Sequence, residues 1–177
     1  VFSSYAERIA VMNIVDTALV RGILIFFIAL EAMSNFFATI VTVAYKTGHF
    51  GVAAALGGQM PGDDYRPFIP LMNAIPWWIH ALWVSAGLLY LISAGFLVTR
   101  KRGNAFPLFA AGFILAIGAK VTSDTITSAA GLRPAVPRAG AIAGLNIQAI
   151  PEIILPLAIV VALFLIRRWR TAPGAPA

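Results

Sequence analysis

The stretch Val20 to Tyr45, VRGILIFFIALEAMSNFFATIVTVAY, is long and apolar enough to cross a bilayer, yet it carries Glu31 near its middle. That pairing constrains the chain more than any other feature. An acidic residue at the centre of a spanning helix costs roughly 2.5–3.5 kcal/mol, so it is expected to face protein or a water-filled cavity rather than lipid. Helical spacing from Glu31 leads to Asn35, Thr39, Thr42 and Lys46, with Ser34 beside them, against a background of Phe, Ile, Leu and Val. This polar face is expected to meet other helices.

Composition sets the class. With 177 residues, 60% hydrophobic and 11% charged, and a mean hydropathy of +0.87, the chain reads as an integral membrane protein. A span needs about 20 residues, so the length suits four transmembrane helices in an all-α antiparallel bundle. The net charge of +6 is not read as a nucleic-acid footprint, because most of the arginines flank apolar segments and serve as topology signals and contacts to anionic lipid. The absence of cysteine excludes disulfides, thiolate metal sites, iron–sulfur clusters and cysteine nucleophiles.

Taken in order, residues 1–16 form an interfacial segment, 17–170 a four-helix membrane domain and 171–177 a disordered tail. Ser4 and Glu7 have capping-box spacing, and Tyr5, Ile9 and Met12 fall on one side of a short amphipathic helix. Met12 is also a possible internal start. The spans are expected at about 20–45, 77–98, 106–129 and 150–166. Residues 47–76 hold five glycines and four prolines, which reads as a long ordered or partly re-entrant loop with a short helix over Phe50 to Leu56 and a turn at Pro61 to Asp64. Trp77, Trp78, His80 and Trp83 open the second span and mark the headgroup level. Gly87, Tyr90 and Ala94 continue their face, and Gly112 and Gly118 in the third span suggest close helix approach. Pro156 is expected to kink the fourth.

Orientation follows from the basic residues. Arg8, Arg21, Arg100, Lys101, Arg102, Arg167, Arg168 and Arg170 fall on one side, and Lys46, Arg66, Lys120, Arg133 and Arg138 on the other. The bias places both termini in the cytoplasm, in a membrane of the bacterial inner type.

At about 1.5 Å per residue, Glu31 lies roughly 15 Å deep from the cytoplasmic side and Lys120 and Glu152 roughly 20 Å. An outward polar pocket lined by Glu31, Asn35, Lys120, Asp124 and Glu152 is therefore expected, with His80 and Gln148 at its rim. The competing reading is plain neutralisation, with Lys120 pairing Asp124 along one helix and Glu31 meeting a lysine or an amide across a contact. No metal or cofactor is expected: His49 and His80 lie at different depths, and Asp63–Asp64 beside a Pro-Gly turn reads as a solvated loop, since calcium takes about 6–8 oxygens. The serines have no suitably placed histidine. These features suit an accessory or assembly subunit of a larger membrane complex without catalysis of its own, whose expected partners are the bilayer, other membrane subunits and, as a homo-oligomer, a second copy. The alternative is a small ion- or proton-coupled transporter or channel using Glu31, and a membrane enzyme acting on lipid or quinone comes third.

Overall fold

A computed structural model describes residues 18–57, 66, 68–99, 102–132, 141–142, 145–146 and 149–170. The elements are α1 (Ala18–Lys46), α2 (Phe50–Gly57), α3 (Phe68–Ala74), α4 (Trp77–Val98), a single 3-10 turn (Arg102–Asn104), α5 (Ala105–Ala129), β1 (Ala141–Ile142), β2 (Leu145–Asn146) and α6 (Ala149–Arg170). The described residues are thus mostly helical, with one minimal antiparallel ladder in which Ala141 pairs with Asn146 and Ile142 with Leu145. Among the described residues, three helices are long and apolar enough to cross a membrane: α1, α4, and α5 together with the turn before it. The amphipathic N-terminal segment, the Asp63–Asp64 turn, Gln148 and the tail all lie outside the described residues.

Local chemistry sets the ends of these helices. α1 has no internal proline, and it stops where Gly48 takes φ 78°, a left-handed conformation that a side chain would oppose. His49 N–H then reaches back to the Ala44 carbonyl at 2.8 Å and Gly48 N–H to that of Tyr45 at 3.3 Å, the two bonds of a Schellman cap. α5 ends the same way: Gly131 has φ 67°, with Leu132 N–H on the Thr127 carbonyl at 3.1 Å and Gly131 N–H on that of Ser128 at 3.0 Å. α4 starts directly after Pro76, which sits extended at its N-cap with φ −62° and ψ 150°. Proline is tolerated there because no intrahelical N–H is required of it.

α4 is the central helix, packed along α1 on one side and α5 on the other. Contacts set both pairs running in opposite directions. Phe36 of α1 meets Gly87 of α4, and the end of α1 meets the start of α4 through Lys46 and Trp77. On the other side, Ser93 Oγ donates to the Ala105 carbonyl at 2.9 Å, Tyr90 stacks on Phe109 with ring centroids 4.6 Å apart, and Ala119 joins Ile75 and Ile79. Missing side chains bring the helices close. A Cβ on Gly87 would lie 2.9 Å from the Phe36 ring, and one on Gly112 would lie 2.9 Å from Tyr90 and 3.1 Å from the Ala86 carbonyl. Such close approach supplies the van der Waals contact that associates helices where lipid offers no hydrophobic drive. Gly118 differs, facing open space.

The core divides by level. Toward the end of the helices that carries Arg21, Arg102 and Arg167, a cluster of Leu24, Ile28, Leu97, Ala105, Phe109, Ile159, Leu163 and Ile166 joins α1, α4, α5 and α6. At the opposite, aromatic end, the Lys46-to-Pro76 segment is structured. α2 agrees with the expected short helix, extended by one residue to Gly57; α3 was expected as loop. Pro70 falls in the first turn of α3, where it is tolerated, and Ile69 and Met72 pack against Ala44, Tyr45 and Ala53. Outside these clusters, Phe26, Leu30, Met33, Leu91, Ile92, Ile114 and Val121 are exposed, as faces turned to lipid would be.

Candidate functional site

Because α4 separates α1 from α5, those two helices stand apart in front of it, and a groove of about 830 Å³ lies among them. α1 contributes Leu30, Glu31, Met33, Ser34, Asn35, Phe37 and Ala38; α5 contributes Phe113, Ala116, Ile117 and Lys120. Trp83 and Tyr90 of α4 lie between these walls, and Leu155 and Pro156 of α6 complete the lining. The walls are mostly apolar, with a few polar groups placed among them, which is the usual make-up of a small-molecule site between helices.

Of the residues expected to form a pocket, the groove brings together Glu31, Asn35 and Lys120. Asp124 is half-buried one turn further along α5 and is not part of the lining. Glu152 lies in α6 by its backbone, while its side chain is outside the described residues. Pro156 is buried in this helix; it withdraws the N–H that would otherwise serve the Glu152 carbonyl.

The polar stripe of α1 satisfies itself first. Asn35 Nδ2 donates to the Glu31 carbonyl at 2.8 Å, Thr39 Oγ1 to that of Asn35 at 3.0 Å, and Thr42 Oγ1 to that of Ala38 at 2.7 Å. Each bond returns one turn along the same helix, so these side chains need no partner across a helix contact to be tolerated in an apolar setting. α5 repeats the device with Thr122 on the Gly118 carbonyl at 2.7 Å and Thr125 on that of Val121 at 2.8 Å. Glu31 is half-buried and Lys120 exposed, and both stand well inside spanning helices.

The aromatic end carries the four anchor residues. Trp77 and Trp78 are 58% and 52% exposed, as side chains at a headgroup level would be. His80, expected at a rim, is buried instead, with ring centroids 5.3 Å from Trp77 and 5.6 Å from Trp83. Its Nδ1 lies 3.1 Å from the Pro76 carbonyl. Only a protonated Nδ1 can donate there, so Nε2 is the acceptor in the neutral ring, and among the described residues that buried atom has no partner. Trp83 links this histidine to the groove, since it touches His80 and lines the groove as well.

Tyr90, Phe37 and Phe113 were not singled out as pocket residues. Tyr90 was legible as the continuation of the His80–Trp83 face, but the two phenylalanines carry no signal that separates a groove wall from a lipid-facing position. Among the described residues no group of three or more histidines and carboxylates could hold a metal ion. No protein-family model matches the sequence, and neither the curated proteins nor the solved structures give a significant match.

Proposed function

We propose that the chain is an integral-membrane accessory or assembly subunit of a larger membrane complex, with no catalysis of its own. α6 serves as a fourth span of an antiparallel bundle, both termini face the cytoplasm, and the host is a bacterial inner membrane. In support of the fourth span, α6 runs 22 residues, buries Ile159, Leu163 and Ile166 in the shared core and exposes Ile154, Leu157, Val161 and Leu165. The gathering of Arg21, Arg102, Arg167 and Arg168 at one end supports the orientation.

One observation carries the functional reading: Lys120 is exposed, and it lines with Glu31 a groove that the described helices leave open. A lysine facing hydrocarbon at that level costs roughly 2.5–3.5 kcal/mol. A helix of another subunit laid into the groove would cover that exposed lysine and remove the cost. The test is native-gel migration of tagged protein extracted from its own membrane in mild detergent, with mass spectrometry of the band. Migration with a large complex is expected; a bare monomer or a small homo-oligomer would remove this reading.

A second reading is favoured by the size of the groove. At about 830 Å³ it falls in the range of small-molecule sites, and it holds a carboxylate well inside a span. A small ion- or proton-coupled carrier would use Glu31 as the group that alternately binds a proton and a substrate cation. Such a protein is active alone in proteoliposomes and loses coupling in Glu31→Gln, whereas an accessory subunit is silent in both forms.

A further inference from the structure

We propose that the arginine-rich end of the helices is a binding site for the headgroup of an anionic phospholipid, with phosphate as the recognised group. The arginines come from segments far apart in sequence: Arg21 in the first turn of α1, Arg102 in the 3-10 turn, and Arg167 and Arg168 near the end of α6. Tertiary packing brings two of these segments into contact. The Arg167 stem lies beside Gly103, where an added Cβ would come 3.9 Å from its Cγ. Its guanidinium carbon stands 5.6 Å from the centroid of the Phe106 ring. Phe106 in turn meets Phe164 edge-on, centroids 5.6 Å apart.

The arrangement has the three parts that a phospholipid needs. For the phosphate there are guanidiniums, whose planar N–H forks match its oxygens in pairs. Arg102 is half-buried, with its Nε below the surface. For the acyl chains there is an apolar strip directly beneath, where Phe164 is 44% exposed, Leu165 48% and Val161 51%. For charge selection there are four arginines at this end, while Glu31 stands mid-helix, Asp124 lies toward the far end of α5, and Glu152 is in the first turn of α6. A choline or ethanolamine headgroup brings its own cation into this positive field and loses the advantage, whereas a glycerol headgroup does not. Basic pockets between spanning helices recognise anionic lipid headgroups on this principle.

The test uses the full chain in mild detergent, with native mass spectrometry and thermal melting after addition of phosphatidylglycerol, phosphatidylcholine or soluble glycerol phosphate. Retained phosphatidylglycerol adducts and a raised melting midpoint are expected, with neither effect from phosphatidylcholine. Arg167→Gln and Arg168→Gln should each weaken phosphatidylglycerol binding about fivefold. Arg167→Lys, which keeps the charge and loses the fork, should fall between the native protein and Arg167→Gln, and Arg66→Gln, an exposed change near α3, should leave binding unaltered. Equal retention of phosphatidylcholine, or undiminished binding in both single glutamine variants, would overturn the site. An equal shift with glycerol phosphate would overturn the assignment to a lipid. Arg168 is exposed, so its variant reports binding even if changes at Arg102 or Arg167 impair folding.

Discussion

The Lys46 ammonium, in the last turn of α1, donates to the carbonyl oxygen of Ile75, just ahead of α4. It also lies 3.4 Å from the Asn73 carbonyl and 4.9 Å from the centroid of the Trp77 ring. One side chain therefore satisfies the carbonyls at the end of α3, rests on an indole, and closes the segment between two spans. That segment is otherwise held by the packing of Phe50, Ala53, Ile69 and Met72 on α1.

Lys46→Met keeps the apolar stem and removes the donor. The Ile75 carbonyl then loses a charged partner in a partly buried place, at a cost of about 1–3 kcal/mol. A lower melting midpoint is expected, together with faster proteolysis between residues 47 and 76. Unchanged proteolysis would show that Lys46 does not hold the segment.

Glycine substitutions should separate by what their Cβ meets. At Gly112 the new atom collides with Tyr90 and with the backbone oxygen of Ala86, which cannot rotate away, so Gly112→Ala is expected to destabilise by about 1–3 kcal/mol. Gly87→Ala meets the Phe36 ring instead, a side chain that can shift, and should cost less. Gly118→Ala meets nothing within 4 Å and should be neutral or slightly stabilising through helix propensity. Melting curves of the three variants in one detergent test the order; a Gly118→Ala protein as weak as Gly112→Ala would contradict the packing described for α5.

Glu31→Gln should be tolerated, because the amide keeps hydrogen-bonding capacity in the groove, while Glu31→Leu should lower expression or thermal stability. If the two charges share one electrostatic environment, the double variant Glu31→Gln/Lys120→Gln will be less destabilised than the sum of its single changes, with a coupling of about 0.5–3 kcal/mol. Strict additivity would mean that the groove holds two independent sites.

His80 carries an acceptor nitrogen buried between indoles. His80→Phe preserves the ring packing and removes an atom whose desolvation costs about 1–3 kcal/mol when it is unmatched. A melting midpoint equal to or above that of the unmodified protein is expected, whereas His80→Ala opens a cavity and should lower it markedly. A loss in the phenylalanine variant as large as that in alanine would reveal a hydrogen-bonded partner at Nε2.

What could be read along the chain is what depends on neighbours along the chain. Apolar length marked Trp77–Val98 to the residue and set α1 and α5 within two residues of their observed ends, since a helix that satisfies its own backbone in an apolar medium needs little outside help. The polar stripe of α1 was legible for the same reason, being a matter of 3.6-residue spacing. α3 was not legible, because seven residues with a proline do not hold a helix alone; Ile69 and Met72 acquire their packing only once Ala44 and Tyr45 are beneath them. The groove likewise depended on how the helices are rotated against one another. That rotation is decided by contacts such as Phe36 on Gly87 and Tyr90 on Gly112, which place Lys120 in the lining with Glu31 and leave Asp124, one turn away on the same helix, outside it. The sequence by itself determined the spans and their polar faces; tertiary packing alone decided which polar faces share a groove, because the angular setting between two helices is a property of their interface and not of either helix.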